Sequence, residues 1–596
     1  MREFATPLTI ELPATGNLTD DVVTNAREAG DTAVFSRPGR DGLEDVTAAE
    51  FLREVSAVAK GLIASGIETG DRVALISKTL YEWTLLDYAI WFAGAVTVPV
   101  YETSSAEQIA WILQDSGARA VVAEGADHVA RVHAARGDLP GLNHVWSLAD
   151  NAVDVLSRLG ADIADAQLEK RRTTATPLDL ATLIYTSGTT GRPKGCMLTH
   201  GNFMFELGVA VDELDQLFHT EGASTLLFLP LAHVFARIIQ VGCVKSRTRM
   251  AHSADVKNLV ADLQEFQPTF VLAVPRVFEK VFNTASQKAA ADGKGKIFDR
   301  AAEVAIAYSR GLDRGRPSLA VRAQHALFGR LVYGKLREAL GGRCEYAISG
   351  GAPLGERLGH FYRGIGLTVL EGYGLTETTA ALTANLPGAT KVGTVGRPLP
   401  GTAVRVADDG ELLFRGGQVY AGYWENEDAT REALESDGWF HTGDVGEVDD
   451  EGFVRITGRK KEIIVTAGGK NVAPAVLEDR LRAHPLVDQC VVVGDGQPFI
   501  AALVTIDPES FPTWAEAHGK SGEIADLVDD PDLRAEIEAA VTEANKAVSK
   551  AESIRKFTIL PHAWTEEGGQ LTPSLKLKRT VVMREQRDEV AALYRS

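Results

Sequence analysis

Between Arg72 and Ala123 the chain alternates short apolar runs with segments of helical spacing, and this alternation limits its fold most tightly. Arg72–Ser77 reads as a strand, Tyr81–Phe92 as a helix, Ala95–Val100 as a strand, Gln108–Gln114 as a helix and Ala118–Ala123 as a strand. Strands that alternate with helices of this length form a mostly parallel sheet covered on both faces. Phe51–Ile63, just upstream, also has helical apolar spacing. The most apolar stretch, Leu85–Val100, contains Asp87. It is too short to span a bilayer comfortably and reads as a buried helix running into a strand. Residues 1–45 carry no motif, and the polar segment Ala149–Pro177 reads as a surface excursion.

The 596 residues are ample for a large core and more than one domain. With 45% apolar and 24% charged residues the chain is globular in composition. Its net charge of −19 opposes non-specific nucleic-acid binding, so no nucleic acid is expected as a partner. Cys196, Cys243, Cys344 and Cys490 are widely spaced, without a C-x-x-C pair. That suggests neither a metal site nor a disulfide framework, and it fits a reducing cytoplasm. The N-terminus lacks the basic and apolar regions of a secretory signal.

Chemistry concentrates first at Tyr185–Gly195. The hydroxyls of Thr186, Ser187, Thr189 and Thr190 surround Gly188 and Gly191, with Lys194 behind them and the apolar run Ala181–Ile184 leading in. Glycines let backbone N–H groups approach an anion, hydroxyls add donors, and the lysine adds a compact positive charge. This is a phosphate-holding loop but not a Walker A loop, because Pro193 precedes the lysine and Gly195 follows it. Ser349–Ala352, including Gly351 and Ala352, is a bare backbone against which a flat base can lie. In Glu371–Thr378, Tyr373 can stack on a purine or serve as a core aromatic. Thr376 can donate to a phosphate, and Glu377 offers a hard oxygen to Mg²⁺. Asp444, after Gly443, can accept hydrogen bonds from a ribose diol. Tyr423–Trp424 reads as structural, and Asp449–Glu451 as a solvated turn.

These motifs, in this order, resemble the adenylate-forming superfamily of acyl-CoA synthetases, luciferases and adenylation domains. The likeness runs from about residue 50 to about residue 590. It implies an α/β fold: a large N-terminal domain of mostly parallel sheets covered by helices, residues 1–458, and a small mobile α+β domain, residues 462–596, joined by a hinge at 459–461. The small domain reads as a helix (Pro474–Arg482), strands Asp488–Val493 and Ile500–Ile506, and helices in 523–550. By the resemblance, the loop after Tyr185 wraps the β- and γ-phosphates of ATP, His233 borders an acyl pocket, and Arg459 contacts the ribose side. Lys461 is the residue about which the small domain turns. Gly468 and Gly469, whose lack of side chains suits a narrow ligand, line the pantetheine tunnel of CoA. Lys576 is the mobile catalytic lysine, although Leu575 replaces the familiar glycine before it.

The frame Pro275–Lys280, a long helical stretch over 281–340 and Ser349–Leu354 resembles the long-chain fatty acyl-CoA synthetase branch. Phe328, Val332, Leu336 and Leu340 mark one packing face of that stretch. The expected reaction joins a long-chain fatty acid to AMP using Mg²⁺ and ATP, with Lys576, Thr376 and Glu377 as the catalytic set, and then transfers the acyl group to CoA. A ligase loading an acyl carrier protein and a non-catalytic nucleotide- or lipid-binding scaffold stay open. So do a monomer or homodimer and the acyl chain length. The basic residues Lys578, Arg579 and Arg584 read as a solvated or membrane-facing surface that permits peripheral membrane contact.

Overall fold

The computed structural model describes residues 2–40, 42–186, 192–572 and 576–595. The alternation after Arg72 gives strands Arg72–Ile76, Val96–Val100 and Ala120–Ala123 with helices Tyr81–Phe92 and Ala106–Ser116 between them. These strands pair in parallel inside a six-stranded sheet. His144–Ser147 forms one edge, and Leu180–Thr186 followed by antiparallel Lys194–Thr199 forms the other. A second sheet has nine strands. Its middle runs Thr368–Tyr373, Tyr346–Ser349, Phe270–Ala273, Ser224–Leu227, Arg249–His252 and Ala33–Gly39, all parallel.

Side-chain alternation sets the layers. Val73 and Leu75 face the largest apolar cluster, while Ala74 and Ile76 face a separate one. The largest cluster also takes Phe35, Leu227 and Leu272 from the nine-stranded sheet. Helices Ala48–Ala64, Tyr81–Phe92 and Val234–Ser246 therefore lie between the two sheets. The outer face of the nine-stranded sheet is covered by helices Pro275–Ala291, Gly295–Asp313 and Glu356–Ile365.

Helix Tyr81–Phe92 is buried nearly all round, as its apolar run requires. Asp87 is tolerated there because Arg237 pairs with it. Gln240 Nε2 and Thr97 Oγ1 donate to the same carboxylate at 3.0 and 2.8 Å. Arg237 also donates to Thr182 Oγ1 at 2.5 Å and lies over the rings of Trp83 and Trp91. One polar node thus ties two helices to two strands.

Helix Glu356–Ile365 crosses Gly295–Asp313 so closely that a Cβ on Gly364 would stand 2.1 Å from the Ala305 carbonyl oxygen. Gly364→Ala is expected to lower stability by about 1–3 kcal/mol or more. An unchanged thermal midpoint would show that the two helices can separate without penalty.

A five-stranded antiparallel sheet follows: Glu3–Ala5, Ala403–Val406, Glu411–Arg415, Phe440–Val448 and Val454–Arg459. The last region is a three-stranded sheet, Val487–Val493, Ile500–Ile506 and Ile554–Leu560, with helices Pro474–Arg482 and Pro531–Asn545 on one face. It meets the large region through helix Pro275–Ala291. Arg276 pairs with Asp488 at 2.6 Å, Lys280 with Glu509 at 2.9 Å, and Gln287 Nε2 donates to Ser510 Oγ at 2.6 Å.

Several sequence expectations need correction. Residues 1–45, though without a motif, supply strand Glu3–Ala5 to one sheet, Ala33–Gly39 and the start of Gly42–Thr47 to another, and the helix Asp20–Ala29. Ala149–Pro177 holds helices Ala152–Leu159 and Asp165–Arg172, anchored by buried Leu156 and Leu168. Asp449 and Glu451 are not merely solvated, because Lys391 Nζ reaches them at 2.6 and 3.0 Å. Arg579 is not free surface: it pairs with Glu478 and donates to the Val492 carbonyl at 2.8 Å. No described helix is long and apolar enough to cross a membrane.

Candidate active site

The chemistry-bearing residues gather where parallel strands of the nine-stranded sheet end. Gly350 and Gly351 follow Tyr346–Ser349, Arg276 follows Phe270–Ala273, and Thr376–Glu377 follow Thr368–Tyr373. Carboxyl ends of parallel strands open a crevice in folds of this kind.

The turn after Tyr373 is unusual. A Cβ on Gly374 would lie 1.4 Å from the Ala380 carbonyl oxygen, so the chain can double back only over a bare backbone. Thr379 and Ala380 then hold φ of 55° and 110°, conformations that cost of order 1–3 kcal/mol each. Thr379 Oγ1 donates to the Gln418 carbonyl at 2.7 Å, and the Tyr420 N–H donates to the Glu377 carbonyl at 2.8 Å. This clamp fixes the short helical turn Thr376–Thr378 that carries Thr376 and Glu377.

Asp444 is 4% exposed and lies in the strand Phe440–Val448, paired in register with Arg459. Its two oxygens are divided between partners. Tyr373 donates its hydroxyl to Oδ2 at 2.6 Å, and Arg459 Nε stands 3.1 Å from Oδ1. Burial and the Asp444 carboxylate push the Tyr373 phenol well above its ordinary pKa. The Tyr373 hydroxyl is thus pinned, and its ring lies near Phe414, centroids 5.9 Å apart.

Lys576 projects from the small region into this cleft, its Nζ 4.0 Å from where a Cβ on Gly351 would sit. Gly351 has φ +83°, which itself favours glycine. Ala352 beside it is exposed. Lys576 is held by a small turn: its N–H donates to Thr572 Oγ1 at 3.0 Å, and the Thr572 N–H donates to its carbonyl at 2.8 Å. Desolvation and then Arg459 hold its ammonium below the usual lysine pKa, against the pull of Asp444 and Glu377. His233 caps helix Val234–Ser246, its Nδ1 accepting the Phe235 N–H at 3.1 Å. Desolvation and then Lys576 push it down to about 3, so it is neutral at physiological pH.

Thr186 and Lys194 flank the phosphate-loop residues; Ser187, Gly188, Thr189, Thr190 and Gly191 lie outside the described residues. Lys194 Nζ lies 4.9 Å over the ring of Tyr423, whose hydroxyl donates to Glu377 Oε1 at 2.8 Å. Tyr423 thus joins the loop to the Thr376–Glu377 turn, a role that the structural reading of Tyr423–Trp424 understated. The Trp424 N–H donates to the Gly195 carbonyl at 2.8 Å, tying this turn to the strand Lys194–Thr199. Glu371 was also passed over. Burial pushes its carboxyl up to about 7, and it accepts the Leu354 N–H at 3.0 Å, anchoring the bare Ser349–Leu354 loop. An acid inside an otherwise apolar strand run was its only sequence signal.

Lys461 is exposed in the short turn Lys460–Glu462. Gly468 and Gly469 lie at the exposed tip of the hairpin Ile464–Val465/Asn471–Val472. A Cβ on Gly469 would meet nothing within 4 Å, so this tip is not packed against the Glu377–Asp444 cleft. A single carboxylate, Glu377, suits Mg²⁺ that arrives with a nucleotide, since Mg²⁺ commonly takes one or two protein carboxylates besides phosphates and water. Among the described residues no group of three or more metal-ligating side chains exists.

Residues 22–424 match the family described as AMP-binding enzyme, and residues 461–596 match the AMP-binding enzyme C-terminal domain. The chain is 53% identical over 599 residues to the long-chain-fatty-acid–CoA ligase FadD15 of Mycobacterium tuberculosis, covering 100% of both. It is 30% identical over 606 residues to the long-chain-fatty-acid–CoA ligase ACSBG2 of Xenopus laevis, covering 95% of this chain and 82% of that one. The solved anthranilate CoA ligase AuaEII in complex with anthranoyl-AMP shares the fold, with TM-score 0.74 and 20% identity over 98% of this chain and 99% of that one. So does an o-succinylbenzoate CoA synthetase of Bacillus subtilis in complex with ATP and magnesium, with TM-score 0.66 and 20% identity over 94% and 98%. With the family matched over most of its length and a full-length relative at 53% identity, the chain belongs to the AMP-binding enzyme family.

Proposed function

We propose that the protein is a long-chain fatty acid–CoA ligase that forms acyl-AMP from a fatty acid and ATP and then transfers the acyl group to CoA. The observation that carries this reading is Lys576, from the small region, standing in the cleft with Glu377, Asp444 and Arg459 of the large one. The full-length relatives named as long-chain-fatty-acid–CoA ligases support the substrate class.

A carboxylate is a poor electrophile, so its oxygen must first become part of a leaving group. In the first step a carboxylate oxygen attacks the α-phosphorus of ATP, and the bond to pyrophosphate breaks. Negative oxygens crowd together there, so neutralising charge is the main task. Lys576 supplies a positive charge, Thr376 and the loop 186–194 supply donors and Lys194, and Glu377 holds Mg²⁺ brought with ATP. Held there, Mg²⁺ would supply further charge neutralisation on the phosphates. Asp444 and Arg459 hold the ribose, Gly351 and Ala352 border the base with Tyr373, and His233 borders the acyl chain. In the second step the CoA sulfur attacks the acyl carbonyl carbon and AMP leaves. Residues 1–458 form the large domain and 462–596 the small one, which turns at 459–461 about Lys461 and carries Gly468 and Gly469 to the acyl-AMP. The exposed position of that hairpin here supports such a rotation, because the tip must travel to reach the cleft.

Removing the ribose ligand should act mainly on nucleotide affinity. Asp444→Ala is expected to raise the KM for ATP about ten- to a hundredfold, the value of a charge-assisted hydrogen bond. An unchanged KM with a lower kcat would assign Asp444 another role.

The defining measurement is release of AMP and pyrophosphate with Mg-ATP across acids from acetate to stearate, with and without CoA. CoA-dependent turnover that peaks at long chains is expected. Pyrophosphate exchange that never gives acyl-CoA would favour loading of a carrier protein. A peak at short or aromatic acids would overturn the substrate class, and no turnover with any acid would leave a binding scaffold. The same reading places the protein in the cytoplasm, as a monomer or homodimer with access to a membrane surface.

A further inference from the structure

The helical stretch after Asp313 carries a surface that the proposed chemistry does not use. From Arg314 to Arg337 the sequence has five arginines and one lysine and no aspartate or glutamate, within a chain of net charge −19. Leu319–Phe328 is a helix without a buried residue, continued by a wide turn, Gly329–Tyr333, and a last helix, Gly334–Ala339. The inward face of this run is accounted for: Tyr333 and Leu336 are buried, and Phe328 and Val332 pack against the cluster holding Phe282 and Phe298. The outward face is apolar too. Leu319 is 78% exposed, Leu327 57% and Leu331 54%.

Leu319, Ala323, Leu327 and Leu331 recur every four residues, so they form one row along the helix. Arg322 and Arg330 flank that row, and Arg314 and Arg316 lie in the loop before it. Among the described residues none of these four arginines forms an ion pair, and neither does Lys335. Elsewhere on the surface arginines are commonly paired, as Arg363 is with Asp313 at 2.6 Å and Arg300 with Glu303 at 2.8 Å.

We infer that this face, Arg314 to Lys335, docks the protein on an anionic lipid bilayer. Charge complementarity selects the partner. A strongly acidic protein is repelled by an anionic membrane everywhere except where a local basic field faces it, and this is such a face. The leucine row adds what a purely charged partner would not need: apolar side chains that enter the acyl boundary while the arginines remain at headgroup level. Nucleic acid would select aromatic or polar groups between the basic residues, and no aromatic residue lies on the outward row. The inference concerns this surface only and does not depend on the ligase chemistry.

The test is flotation of the full-length protein, without ATP, CoA or fatty acid, on phosphatidylcholine vesicles with and without phosphatidylglycerol. The protein is expected to float only with the anionic vesicles. Arg322→Glu with Arg330→Glu should weaken that binding about twenty-five-fold or more, since each basic residue near an anionic surface contributes about fivefold. Leu319→Ser with Leu327→Ser and Leu331→Ser should remove the part of binding that survives high salt. Both variants alter exposed positions, and an unchanged thermal midpoint verifies that they fold. Failure of the parent to bind anionic vesicles, or variants that bind like the parent, would overturn the assignment. So would charge-dependent binding to polyglutamate or duplex DNA with no dependence on the leucines, which would make the patch a reader of charge alone.

Discussion

Replacing Lys576 by alanine is expected to slow acyl-adenylate formation about a hundred- to a thousandfold, as loss of a preorganised donor does. Thioester formation from preformed acyl-AMP should keep its rate. The asymmetry follows from position: Lys576 comes from the small region and approaches Gly351, Asp444 and Glu377 only while the two regions sit as they do here. The pH profile gives an independent check. In the proposed role only the protonated amine would neutralise the phosphates, and desolvation with Arg459 lowers its pKa. Adenylation should therefore decline, as pH rises, below the value of about 10.4 at which a free lysine titrates. Lys576→Arg keeps a charge but replaces a compact ammonium with a planar fork, so rescue should be incomplete. Equal loss in both half-reactions would show that Lys576 supports the fold and not the first step.

The second large effect concerns stability. Arg237→Leu should destabilise the large region by about 3–5 kcal/mol, because it strands the Asp87 carboxylate in an interior where both side chains are fully buried. Arg237→Leu combined with Asp87→Leu should recover much of that loss, since a buried pair and an apolar replacement of similar volume are often close in stability. Trp83 and Trp91 flank the guanidinium, so their fluorescence reports unfolding at this spot during denaturant titration. Equal losses in the single and double variants would mean that the two side chains act separately.

How much of this was legible in advance depended on whether the signal was local. Helices Tyr81–Phe92 and Pro474–Arg482 and strand Ile500–Ile506 begin and end where their residue patterns place them, because periodicity and flanking turns decide such elements. Thr199 caps the helix His200–Glu213, its hydroxyl accepting the Asn202 N–H at 3.1 Å, a local device of this kind. Strand Ile554–Leu560 escaped notice, since exposed Arg555 and Lys556 break its alternation and its parallel neighbour lies far back in the sequence. In the cleft, residue types identified Glu377 and Asp444 as candidates and the family resemblance added Arg459, while their partners were hidden. Nothing local to Tyr423 says that its hydroxyl meets Glu377 from 46 residues away. Arg579 looked like one more tail charge until Glu478, 101 residues earlier, supplied its counter-ion. Long-range pairing is set by topology, and composition cannot see it.

The seam between the two regions has a consequence for anyone reshaping the molecule. It is held by Arg276 with Asp488, Lys280 with Glu509, and Gln287 with Ser510. Lys280 and Glu509 are exposed and Arg276 and Asp488 partly buried, and such partly wet polar contacts exchange partners with solvent at modest cost. They orient one body on another without gluing them, as a detent positions a dial. If the small region turns as proposed, a leucine pair or a disulfide there would raise heat tolerance and arrest that turn. Hardening then belongs elsewhere, in packing internal to each region.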